Sequence, residues 1–117
     1  GRVPESLEAK VLFDADKLDV LGATGIARSY ILAGEYGEPI FSTVSLVEYI
    51  HENLVGGTVE GRVKDIAIHT ANLEYELKMK RIPERLHTPQ AKAMAVERLK
   101  FMAQYFQRLE QEITGEL

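Results

Sequence analysis

Apolar residues recur along this chain at helical spacing from one end to the other. The cleanest run is the last. Ala91, Ala95, Leu99, Met102, Phe106, Leu109 and Ile113 form one stripe, and Met94 and Tyr105 widen it. This is the three-to-four-residue recurrence of an amphipathic helix, and Met and aromatic residues so spaced read as core. His87-Thr88-Pro89 marks its start, with Thr88 as N-cap and Pro89 in the first helical position, and Gly115 ends it. The pattern predicts a helix over about residues 89–113.

The first half reads the same way. Ser6 is an N-cap, with Glu8 in the first turn where the helix dipole favours an acid. A helix is predicted from Leu7 to about Leu21. Gly22 interrupts it, and a second helix runs to about Ala33, with Gly34 as the residue after its end. Its stripe is Ala23, Ile26, Ala27, Tyr30 and Ile31, and the small residues Gly22, Ala23, Gly25 and Ala27 would let another helix approach closely. Residues 35–44 read as a loop. Ser45-Leu46-Val47-Glu48 fits a capping box that opens a short helix to about Leu54, closed by Gly56-Gly57. After a loop at 58–62, a third long helix is predicted from about Val63, on Ile66, Thr70, Leu73 and Leu77, ending or kinking at Ile82 before Pro83. There is no internal repeat and no convincing strand. The class is all-α, a helical bundle.

One stretch breaks the apolar pattern. Phe13-Asp14-Ala15-Asp16-Lys17-Leu18-Asp19 carries three acids within six residues. On a helical wheel Asp16 and Asp19 share a face with Leu12, Ala9, Val20 and Ala15, while Asp14 gathers with Lys10 and Lys17 on the opposite side. The wheel therefore predicts Asp14 in solvent and Asp16 and Asp19 directed at the core. A carboxylate there must be paired, hydrogen-bonded or metal-bound. Two structural acids against a neighbouring helix and a metal or catalytic pair both remain open. Arg28, one turn past the Gly22–Gly25 junction, is either an exposed arginine or a group aimed at these carboxylates or at a bound phosphate.

Composition narrows the classes. The 117 residues suffice for one modest domain, and the net charge of −4 with a pI of about 5.4 lacks the basic footprint of a nucleic-acid binder. No run approaches a membrane span, no signal-peptide pattern opens the chain, and there is no cysteine, which excludes disulfides and thiolate metal sites. The expectation is a cytoplasmic protein that contacts neither a membrane nor a nucleic-acid polymer. A small phosphorylated ligand remains compatible. The opening Gly1-Arg2-Val3-Pro4 is not a natural initiation sequence.

Several motif readings fail. An EF-hand would need Gly where Asp19 stands. A glycosyltransferase Asp-x-Asp would need a strand-to-loop setting, and a prenyl-synthase-like reading would need more chain than one acid cluster in 117 residues. Gly22-Ala23-Thr24-Gly25 is no P-loop. His51, His69 and His87 make no paired motif and read as surface or capping histidines.

Residues 8–28, Glu-Ala-Lys-Val-Leu-Phe-Asp-Ala-Asp-Lys-Leu-Asp-Val-Leu-Gly-Ala-Thr-Gly-Ile-Ala-Arg, resemble the segment that carries the last metal-binding Asp of HD-domain phosphohydrolases. Leu86-His87-Thr88-Pro89-Gln90-Ala91-Lys92, Glu97-Arg98 and Phe101-Met102 are similar to that family's last helices. The resemblance implies an all-α bundle of the HD type and a metal-dependent phosphohydrolase acting on nucleotides or other phosphate esters. It implies a divalent cation, with Mn, Mg, Zn, Fe, Co and Ni not distinguished. By position Asp16 would be a metal ligand, Asp19 a supporting acid at the catalytic centre, and Arg28 and Lys17 the groups that contact substrate phosphate, Arg28 ranking first.

The chain departs from the family in one respect. The family's His and its His-Asp pair lie upstream of this segment, and no His-Asp dipeptide occurs here. The expectation is that residues 1–117 are the C-terminal part of one HD-type domain, without its N-terminal helices. Such a chain would be inactive alone, and would pair with a copy of itself or with a separate N-terminal half. The alternative is a non-catalytic helical module in which Asp16 and Asp19 are structural acids at an oligomerisation surface.

Overall fold

The computed structural model describes residues 5–117, so the Gly1–Pro4 opening lies outside the described residues. The helices are α1 (Leu7–Leu18), α2 (Gly22–Tyr36), α3 (Leu46–Asn53), α4 (Ala71–Leu77) and α5 (Pro89–Ile113), with 3₁₀ turns at Val55–Gly57, Ile66–Ile68 and Met79–Arg85. Among the described residues the only β pairing is an isolated bridge between Leu54 and Val63. The fold is an all-α bundle. Among the described residues no helix is long and apolar enough to cross a membrane.

The expected caps form. Ser6 Oγ accepts the Ala9 amide at 3.0 Å, Ser45 Oγ the Glu48 amide at 3.5 Å, and Thr88 Oγ1 the Ala91 amide at 3.2 Å. Helix α1 stops at Leu18, one turn earlier than its pattern suggests. Leu21 is fully buried, and the chain leaves the helix in a tight turn that carries this side chain inward. Helix α2 continues past Gly34 to Tyr36. Its terminator is Gly37, whose φ of 69° is the left-handed conformation that a side chain disfavours.

The third long helix expected from Val63 is replaced by shorter pieces. Asp65 caps the Ile66–Ile68 turn by accepting the Ala67 amide at 3.0 Å, and Thr70 caps α4 by accepting the Leu73 amide at 3.4 Å. Each side chain offers the backbone a local partner that competes with a continuous helix. Thr70 is thus a fully buried cap and not one step of an apolar stripe.

Helix α4 divides the interior. Ala71 and Tyr75, with Met79 of the turn that follows, face one core with Leu18, Leu21, Ile26 and the α5 residues Ala91, Ala95, Met102 and Phe106, while Leu73 and Leu77 face a second core with Tyr49 and Leu54 of the α3 region. Buried on two sides, the segment alternates where a surface helix would show one stripe. The α5 stripe holds except at its margins, since Met94 is 46% and Ile113 45% exposed.

Candidate functional site

The α1 wheel groups the right residues and assigns the wrong face to the core. The face bearing Leu12, Ala15, Asp16 and Asp19 points outward, with Leu12 68% exposed. The buried stripe is Asp14 and Leu18. Asp14, expected in solvent, is 2% exposed. Its carboxylate accepts the His87 amide at 2.9 Å, the Thr88 amide at 2.8 Å and the Thr88 hydroxyl at 2.9 Å. A carboxylate at the amino end of α5 meets unpaired N–H groups and a favourable dipole, which compensates its burial. Burial pushes its pKa up, but the His87 and Thr88 hydrogen bonds and the His87 charge outweigh that, and the net shift is downward.

This clamp fixes one end of α1, and Arg98 fixes the other by donating to the Leu18 carbonyl at 2.7 Å. The turn into α2 is equally constrained. Gly22 has φ 74°, and a Cβ there would lie 3.0 Å from Arg98 Cγ. At Gly25 a Cβ would lie 2.1 Å from the Val20 carbonyl oxygen, so no side chain fits without moving backbone. The junction is closed by Arg28, which donates to the Asp19 carbonyl at 3.3 Å.

The rigid junction borders a cleft of about 660 Å³, within the usual size of a small-molecule site. Asp16, Lys17 and Arg28 all line it, and Arg85 joins them from across the Met79–Arg85 turn. Phe13 organises two of these cations, with Lys17 Nζ 5.3 Å and Arg85 Cζ 6.0 Å from its ring centroid. Lys78 and Arg81 also line the cleft, where each engages another lining residue. Lys78 donates to the Val59 carbonyl at 2.5 Å, and Arg81 lies 3.8 Å from Glu60. Asp19 is not brought into the cleft. Its residue is exposed, and the contact it makes to Arg28 is through its backbone.

The residues present do not by themselves make a metal site. Among the described residues no three His, Asp or Glu side chains converge, and Asp16 is a single exposed carboxylate. A divalent cation needs several donors in fixed geometry.

Sequence reasoning misses a buried polar network. His69, read as a surface or capping histidine, is buried. Its Nδ1 meets the Tyr49 hydroxyl, and its Nε2 lies 2.9 Å from Glu74 Oε1. The Asn53 amide donates to the Tyr49 oxygen at 3.1 Å and to the Asp65 carbonyl at 3.0 Å, and its oxygen accepts the Asp65 amide at 3.0 Å. Tyr49 and Asn53 stand four residues apart on one face of α3, the one local signal of this network.

No protein-family model matches the chain. It is 30% identical over 115 residues to the uncharacterized protein YpgQ of Bacillus subtilis, covering 98% of this chain and 44% of that protein. The crystal structure of B. subtilis YpgQ in complex with ADP superposes with a TM-score of 0.64 at 30% identity, over 93% of this chain and 45% of the other. A crystal structure of a Lactobacillus plantarum protein gives a TM-score of 0.69 at 28% identity, over 98% of this chain and 53% of the other. The chain thus spans about half the length of these relatives and shares their fold over that span.

Proposed function

We propose that this cleft is part of the active site of a metal-dependent phosphohydrolase of the HD type, acting on nucleotides or other phosphate esters. The observation that carries the reading is the convergence of Asp16, Lys17 and Arg28 with Arg85 on one cleft. Arg28 and Arg85 offer planar, multiply donating groups to phosphate oxygens, and Lys17 offers a point charge. They neutralise phosphoryl charge and orient the ester. Asp16 presents one carboxylate donor beside them, and the other donors of a divalent cation come from polypeptide outside this chain. The ADP in the B. subtilis YpgQ crystal supports a nucleotide as ligand.

The test uses the gene-encoded protein, followed by phosphate and pyrophosphate release from nucleotides with Mn²⁺. Asp16→Ala abolishes release with helicity retained, and Arg28→Ala raises KM about tenfold, the loss of one charged hydrogen bond. Undiminished release by Asp16→Ala would contradict the assignment.

The outward face of α1 favours a second reading, a helical interaction module. Val11 and Leu12 are both more than half exposed on the side of α1 that carries Asp16 and Asp19. An uncovered apolar face of this kind marks a partner surface.

A further inference from the structure

The cleft has two chemically different ends. Helix α2 lines it from Gly25 to Tyr36, a run of about 16 Å along a helix axis. Near the start of α2 lie Asp16, Lys17, Arg28 and Arg85. Near its far end Tyr36 and Glu38 lie beside Glu74 and His69 on α4 and the residue that precedes its cap. Burial and the neighbouring Glu74 charge hold the Glu38 carboxyl above its ordinary range. The rest of the lining is mixed, with Leu32, Leu77, Met79 and Ile82 alongside Lys78 and Arg81.

The partners behind the far end assign a direction to its hydrogen bonds. The Asn53 amide donates to the Tyr49 oxygen, so the buried Tyr49 proton goes to the acceptor within reach, His69 Nδ1. His69 then carries its proton on Nε2 and donates it to Glu74 Oε1. Among the described residues Glu74 makes no second side-chain hydrogen bond, and its side chain is 36% exposed at the cleft. The chain of donors ends on a carboxylate held in place with acceptor capacity to spare.

We propose that Glu74 binds the nucleoside end of a nucleotide, accepting hydrogen bonds from ribose hydroxyls or a base amino group while the cationic end holds the phosphates. This rests on the phosphate-handling reading of the cleft. Tyr49 and His69 are positioning residues that fix the Glu74 carboxylate. The site therefore discriminates a nucleotide from a bare phosphate chain.

The test is calorimetric titration of the metal-free gene-encoded protein with ADP, 2′,3′-dideoxyadenosine diphosphate and inorganic pyrophosphate. The wild type is expected to bind ADP about tenfold more tightly than pyrophosphate, the gain from a hydrogen bond to a charged group. Glu74→Gln keeps the acceptor for His69 but turns the cleft-facing edge into a donor. It removes the preference for ADP and leaves pyrophosphate binding unchanged. Tyr49→Phe narrows the preference in the same sense. A preference lost with the dideoxy analogue assigns Glu74 to the ribose, and one retained assigns it to the base. Equal binding of ADP and pyrophosphate by the wild type, or equal weakening of both by Glu74→Gln, overturns the inference and leaves the phosphate reading standing. Binding of neither overturns both.

Discussion

Thr88 donates both its amide and its hydroxyl to the Asp14 carboxylate, at 2.8 and 2.9 Å, across 74 residues of chain. This contact seats α1 on the amino end of α5 and thereby sets where Asp16 and Lys17 stand. Asp14→Ala is expected to cost about 2–4 kcal/mol, since it leaves the His87 and Thr88 donors without their buried acceptor. Chemical denaturation measures it. A loss below about 0.5 kcal/mol, the range of ordinary surface substitutions, would contradict the clamp.

The clamp also predicts a pH dependence. The folded Asp14 pKa lies below its ordinary value of 3.8. Its contribution is therefore fully present above that unfolded value and is lost as pH falls through the lower folded value. The stability difference between wild type and Asp14→Asn should be constant near neutrality and shrink below about pH 4. A difference that grows on acidification would show the opposite shift.

Two glycines should respond with opposite sign. Gly25→Ala places a methyl group against the Val20 carbonyl and must move the α1–α2 junction. A loss of about 3 kcal/mol is expected, at the upper end for overpacking. Gly34 lies inside α2, where a methyl group would meet nothing within 4 Å, and Gly34→Ala should stabilise by about 0.5–1 kcal/mol. Thermal unfolding of the two variants checks both, and a tolerated Gly25→Ala would contradict the junction geometry.

The exposed apolar face of α1 predicts association. The chain alone should run above its monomer mass of 13.1 kDa in light scattering, and Leu12→Lys should shift it toward the monomer. A wild-type monomer at every concentration would contradict an interface on this face.

The donor set predicts that the chain alone binds Mn²⁺ or Zn²⁺ weakly and releases no phosphate from a generic ester. Tight one-to-one binding of either ion in calorimetry, with turnover, would contradict it.

What is legible in the sequence is local. Ser6, Ser45 and Thr88 cap helices through amides three residues away, and α5 carries its periodicity within one helix. The inward face of α1 is not legible. Val11, Leu12 and Ala15 mimic a core stripe, and the acid that the core accepts is compensated by donors 73 and 74 residues away. Helix α4 misleads for a related reason, because burial on two sides erases the single stripe by which a helix is recognised. The Tyr49–His69 contact spans 20 residues and joins two elements whose relative placement no local pattern encodes. The resemblance at residues 8–28 singles out Asp16, Lys17 and Arg28, which the fold brings to one cleft, together with Asp19, which it leaves outside.

The most direct test of the proposed phosphate-binding role of the cleft is a two-dimensional amide map of the gene-encoded protein titrated with inorganic pyrophosphate. The account predicts saturable shifts centred on Lys17, Arg28 and Arg85, weakened about tenfold in Arg28→Ala. Shifts centred on another surface, or none, would contradict it.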